Sequence, residues 1–214
     1  MTTRTAEFQS AMASFTEFDN TDATIKQAPP SLLEIPHEVK IRLLYTNPVC
    51  LLTTFDPLTR ERNIMTISWV TPLSNRAAFL ASMNTRRYST TLLQRTRRFV
   101  LSIPTKDDIP MVLAIGRCTG AKISDKIGHL NVPVWHPFGT EVAPAVLGGC
   151  CAFLSCVVEH LEEVDGHFIL RCRIERALVH DAYWNGKHFV AKKEKAVAPY
   201  LTFLGGGEFA FVEK

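Results

Sequence analysis

No stretch of this 214-residue chain stays apolar for long. A membrane-crossing helix needs about 18 or more consecutive apolar residues, and the longest candidate, Ala145 to Leu154, is shorter and interrupted by Gly148 and Gly149. Excess charge is missing too. Lysine plus arginine at 24 against aspartate plus glutamate at 21 leaves a net +3, too little for bulk attraction to nucleic acid or lipid. Neither a GxxxxGK[ST] loop nor a GxGxxG turn after a strand occurs, which excludes a P-loop and a Rossmann nucleotide site. The six cysteines show no CxxC spacing and the seven histidines are scattered singly, so no metal site is expected. No Ser-His-Asp or Cys-His order stands out, and no internal repeat suggests a propeller or solenoid. Met1 to Thr24 has one basic residue, several acids and no apolar block, unlike a secretory signal or transit peptide. The expected compartment is therefore the cytoplasm, with reduced, mostly packed thiols.

The chain is 46% hydrophobic, enough to build one sizeable core. Its first residues are rich in Thr, Ser and Asp and end in Pro29-Pro30. We expect an N-terminal arm over residues 1–40, partly mobile or draped over a partner subunit, ahead of a single domain over 41–214. Val49 to Phe55 and Asn63 to Thr71 read as strands separated by the Asp56-Pro57 turn. Period-2 alternation in the second puts Met65, Ile67 and Trp69 on one face and Thr66, Ser68 and Val70 on the other. Ala77 to Met83 predicts a third strand, followed by a helix that Asn84 would cap and that runs through Tyr88, Leu92 and Leu93. Phe99 to Ile103 returns to strand. Asp107, Asp108 and Pro110 open a second helix that stops near Gly116, and Ser124-Asp125 opens a short third. Ala152 to Val164 and His167 to Val179 form a hairpin about Asp165-Gly166, and Asn185-Gly186 predicts a further tight turn between Ala182–Trp184 and His188–Val190. Many strands with few short helices imply a mainly β fold, a barrel with helical decorations.

The densest chemical feature is Met83-Asn84-Thr85-Arg86-Arg87-Tyr88-Ser89-Thr90-Thr91, where a strand ends, a helix begins, and hydroxyls interleave with two arginines. Free N–H groups at a helix start and the positive end of its dipole favour an anion such as phosphate, and arginine adds a fork of donors. Solvated capping of an ordinary helix would look the same. On the Asn63 to Thr71 strand, Thr66 and Ser68 could bond the polar edge of a planar ligand. His167, just after the hairpin turn, could lean over such a ligand. A nucleic-acid contact through the arginines from Arg86 to Arg98 would need a larger electrostatic footprint than this net charge provides.

Three segments in order, Asn63-Ile64-Met65-Thr66-Ile67-Ser68-Trp69, then Ser82 through Leu93, then Phe99-Val100-Leu101-Ser102-Ile103-Pro104, resemble the flavin reductase-like family, more narrowly its flavoredoxin branch. The resemblance continues through Thr119-Gly120, Asp125-Lys126-Ile127, Asp165-Gly166-His167 and the tail Tyr200 to Gly207, covering about residues 45 to 207. It implies an FMN-binding split β-barrel that forms homodimers. In that family, Met65, Thr66, Ile67 and Ser68 would line the flavin ring, and Met83 and Asn84 would hold its middle section. Arg87, Ser89 and Thr90 would grip the phosphate, Lys126 would approach ring or phosphate, and His167 would stand by the nicotinamide. The implied activity is hydride transfer from NADH or NADPH to FMN and onward to an acceptor; the alternative is an FMN-bearing electron carrier reduced by a redox protein partner. Two positions depart from the family pattern: Asp165-Gly166-His167 stands where Gly-Asp-His is usual, and Ser102 where asparagine is usual.

Overall fold

The computed structural model describes residues 35–190 and 197–212. The chain divides into two compact units, Met1–Lys40 and Ile41–Lys214. The expected arm lies outside the described residues except for 35–40. After a 3-10 helix over His37–Leu44 come β1 (Asn47–Pro48), β2 (Cys50–Phe55), β3 (Arg62–Ile67), β4 (Val70–Pro72), β5 (Ala78–Asn84), α1 (Tyr88–Thr96) and β6 (Arg98–Ile103). Next are a 3-10 turn at Lys106–Asp108, α2 (Ile109–Arg117), α3 (Lys126–His129), β7 (Val134–Trp135), β8 (Ala145–Val146), β9 (Ala152–Val164) and β10 (His167–Val179). A 3-10 turn at Asp181–Tyr183, β11 (Tyr200–Gly205) and β12 (Glu208–Val212) follow.

Seven strands form one antiparallel sheet in the order β3-β2-β6-β9-β10-β5-β4. Its two edge strands, β3 and β4, are joined by only Ser68 and Trp69. Seven strands laid flat would set their edges about 29 Å apart at the usual strand spacing, whereas three residue steps reach roughly 10 Å. The sheet must therefore curl until its edges nearly meet, which makes a split barrel. Expected as one strand, Asn63 to Thr71 is thus two. The chain breaks at Ser68, where Val70 N–H donates back to Ser68 C=O at 3.0 Å, an i→i+2 turn typical of strand ends. Ser82 N–H donates to Trp69 C=O at 2.9 Å and hands the chain to the other edge.

Curling gives the sheet two buried faces. Inside the barrel, Cys50, Leu52, Ile67, Phe79, Met83, Phe99, Leu101 and Leu170 pack together, with Met65 against them. On the outside, Leu51, Ile64, Val100 and Phe153 pack beneath Val112 and Ile115 of α2 and Ile127 of α3. β2 is buried along its whole length for this reason, and the alternation read for Met65 and Ile67 against Thr66 survives within β3. The β9–β10 hairpin has its expected bounds. Asp165 and Gly166 both take positive φ, +50° and +73°, the geometry a two-residue turn of primed type requires.

Two other expectations change. Asn84 ends β5 and does not cap α1: its Oδ1 accepts from Arg86 N–H at 3.0 Å, closing a local turn. Arg87 is the residue before the helix, in extended backbone, and no side chain caps that start. Asn185 does form the expected turn, its Oδ1 accepting from Lys187 and His188 N–H at 3.0 and 2.7 Å, but Asp181–Tyr183 before it is a 3-10 turn and only a Trp184–Phe189 bridge pairs across it. All six cysteines are free and all but Cys118 are buried; burial pushes the Cys50, Cys151 and Cys172 thiols up to about 12. They are core residues rather than nucleophiles.

Candidate functional site

The seam of the barrel supplies the backbone for a binding groove. Among the described residues β3 pairs on one side only, with β2, so alternate N–H and C=O groups along its other edge have no strand partner there. β5 pairs with β4 no further than Ala81, so its last residues are also open on that side. Between them lies a groove of about 510 Å³ walled by Met65, Thr66, Ile67 and Ser68 from β3 and its exit, Met83 and Asn84 from β5, Arg86 and Arg87 before α1, and His167 from β10. Eight of the eleven residues expected from the sequence therefore meet in one place. Trp69 and Ser82 complete the wall. Trp69 stacks on His167 with ring centres 5.4 Å apart and planes 27° apart, and touches Tyr45 at 6.1 Å. The hairpin carrying His167 is tied to the groove because Thr85 N–H and its hydroxyl both donate to Gly166 C=O, at 3.0 and 3.1 Å.

At one end the groove deepens into a polar recess lined by Asn63, Thr66, Arg87, Tyr88, Ser89, Cys118, Thr119, Gly120 and Lys126. Ser89 is buried and accepts from Asn63 Nδ2 at 2.8 Å. The other amide atom of that asparagine, Oδ1, is buried with no partner among the described residues. Lys126 is only 2% exposed. Its Nζ donates to Cys118 C=O at 2.8 Å, and burial lowers its pKa to about 8, the Cys118 thiol opposing that shift and the Arg87 guanidinium adding a smaller push in the same direction. Buried ammonium groups are normally matched by a carboxylate. Among the described residues none pairs with Lys126 or Arg87, although Arg62, Arg95, Arg98 and Arg173 all have acidic partners. Two cations, a buried hydroxyl and a helix start with no acid in its first turn and no side-chain cap among the described residues converge on one recess, a combination that favours an anion.

Thr90 is placed differently from the rest. It lines neither cavity; its hydroxyl bonds Thr85 C=O at 3.0 Å and Arg87 C=O at 2.5 Å and so closes the turn that presents Arg87 and Ser89. Ser102, a departure from the family pattern, is fully buried away from the groove, where its Oγ accepts from Val146 N–H at 2.9 Å. A third cavity of about 440 Å³ shares Thr66, Ile67, Ser68 and Arg87 with the groove and is closed by Val112, Phe203, Phe209 and Gly206-Gly207. Sequence reasoning did not single out Trp69 as a groove wall, nor Asn63 as the partner of Ser89, because each contact joins elements far apart in the chain. What the seam suits is a planar ring along open strand edges with a phosphate at one end. Among the described residues no helix is long and apolar enough to cross a membrane and no group of acidic, histidine and cysteine side chains could hold a metal.

Comparison with known proteins agrees with this fold. A family model described as flavin reductase like domain matches residues 42–192. Flavoredoxin from Methanosarcina acetivorans superposes with a TM-score of 0.67 at 20% identity, over 86% of this chain and 92% of that one. The NADH:FAD oxidoreductase of Streptomyces globisporus gives 0.66 at 17% identity, over 87% and 100%. An FMN-binding protein from Thermus thermophilus, with bound 1-cyclohex-2-enone, gives 0.65 at 17% identity, over 86% and 95%.

Proposed function

The chain belongs to the flavin reductase-like family, and from that premise we propose that it is an FMN-binding oxidoreductase reduced by NADH or NADPH, acting as a homodimer in the cytoplasm. The observation that carries this is the recess at Lys126, a buried cation beside Arg87 and Ser89 whose missing counter-charge the FMN phosphate supplies. When bound, FMN supplies hydride acceptance from a nicotinamide nucleotide and delivery of electrons to an acceptor. The protein binds and orients. Arg87 and Lys126 bring charge to the phosphate, Ser89 adds a hydroxyl, and Thr90 holds the turn. Met65, Thr66, Ile67 and Ser68 meet the ring through strand-edge backbone groups and two hydroxyls, while Met83 and Asn84 hold its middle section. His167, on the groove wall, would stand beside the nicotinamide. A homodimer would also cover the apolar groove of about 340 Å³ beside Ile41, Leu44, Trp69 and Val70, surface that is costly to leave in water.

A second reading, an FMN-bearing carrier reduced by a protein partner, is favoured by the stack of Trp69 on His167, which covers one face of the imidazole. Anaerobic addition of NADPH and then NADH to the FMN-loaded protein separates the two. Rapid bleaching of the flavin bands is expected; persistent colour with both nucleotides would replace the reductase by the carrier.

A further inference from the structure

Lys126 opens α3, a helix of only four residues. So short a helix has negligible stability of its own, yet it must hold an ammonium in a buried recess. Ile127 anchors one side of it in the outer core. The other anchor is a chain of polar contacts. Asp125 Oδ1 accepts from Gly128 N–H at 3.1 Å and caps the helix, and a Cβ on Gly128 would stand 2.5 Å from Asp125 Oδ2, so the cap is closely packed. The same carboxylate is gripped from β3 by both arms of Arg62, Nε to Oδ1 at 3.0 Å and Nη2 to Oδ2 at 2.7 Å. Neither Arg62 nor Asp125 lines the groove or the recess.

From this geometry we infer that the Arg62–Asp125 fork is a positioning pair that holds Lys126 in the anion recess and thereby sets the preference for a phosphorylated over a dephosphorylated flavin. A bidentate guanidinium–carboxylate pair fixes orientation as well as distance, and Arg62 belongs to the barrel frame, opposite Phe55 in the β2–β3 register. Arg62 also keeps the Asp125 carboxylate occupied. Without that partner the carboxylate is free to compete for the ammonium of its chain neighbour and to repel an incoming phosphate. Asn63, the next residue of β3, holds Ser89 from the same strand, so one strand end braces both sides of the recess.

The inference rests on the anion-site reading of the recess, and the test separates the two. Dissociation constants for FMN and riboflavin are measured on the full chain as wild type, Arg62→Met, Arg62→Lys, Asp125→Asn, Lys126→Met and Arg62→Met with Lys126→Met. Partners that support a ligand-binding side chain are worth about 10-fold to 100-fold at metal sites, and a loss of about tenfold is expected here for FMN in Arg62→Met and Asp125→Asn, with riboflavin unchanged. Arg62→Lys restores part of the loss, and Arg62→Met adds nothing once Lys126 is Met. Asp125→Asn is nearly isosteric and can still cap α3, so it reports even if Arg62→Met folds poorly. An unchanged FMN-to-riboflavin ratio in both Arg62→Met and Asp125→Asn would overturn the positioning role, as would an undiminished Arg62→Met effect in the Lys126→Met background. An unchanged ratio in Lys126→Met would instead overturn the anion site itself.

Discussion

Replacing Lys126 with methionine removes one charge from a side chain that is 2% exposed, and its consequences run in opposite directions with and without ligand. Burial lowers this lysine from its ordinary 10.5 to about 8, which at 1.36 kcal/mol per pH unit corresponds to a cost on the order of 3 kcal/mol for keeping the ammonium charged in the ligand-free protein. Between about pH 8 and 10.5 the unfolded chain holds this proton and the folded one has lost it, so the lysine makes stability rise with pH across that window. Ligand-free Lys126→Met should therefore be more stable than wild type at pH 7, each 1 kcal/mol raising Tm by roughly 2–4 °C, and should lose the rise above pH 8. Its affinity for FMN should fall by about 10-fold to 100-fold, the worth of a charged hydrogen bond of about 1.5–3 kcal/mol. Wild-type affinity should itself decline above pH 8 as the ammonium deprotonates. Thermal unfolding and FMN titration between pH 6 and 10 measure all of this. A variant that melts lower at pH 7, or binds FMN as tightly as wild type, would refute the unpartnered cation.

Two further substitutions separate the site from its frame. In Gly120→Ala the new methyl would lie 2.5 Å from Asn63 Oδ1 and 2.6 Å from the Tyr88 ring; overpacking of about 1–3 kcal/mol is expected, and FMN affinity should fall with it because Asn63 holds Ser89. Chemical denaturation and FMN titration check both halves. Ser102→Ala leaves Val146 N–H buried without its acceptor, costing about 1–3 kcal/mol while FMN affinity stays at the wild-type value; a loss of affinity would place Ser102 in the ligand site after all.

Local signals in the chain are legible where each is sufficient by itself. Asp165-Gly166 carries the backbone preference of its turn, so the β9–β10 hairpin was legible to the residue. Pro110 and Asp125 likewise marked the starts of α2 and α3. The failures are of another kind. Ser68 and Trp69 look like a continuation of β3 because alternation persists through them, and only closure of the sheet, a property of seven strands at once, forces the break there. Asn84 has the side chain of a helix cap but uses it on a turn one step earlier. The groove residues Met65 to Ser68 and Met83-Asn84 are legible in the sequence because they are contiguous. Arg62 and Asp125, 63 residues apart, and Asn63 and Ser89, 26 apart, touch only after folding. No local pattern encodes such contacts.

Titration of the purified protein with FMN, followed by its visible absorbance, tests the central claim most directly. Saturation at one FMN per chain with oxidised-flavin bands, and tighter binding than riboflavin, is the predicted result. A protein that is colourless as purified and leaves the spectrum of added FMN unchanged would contradict the account.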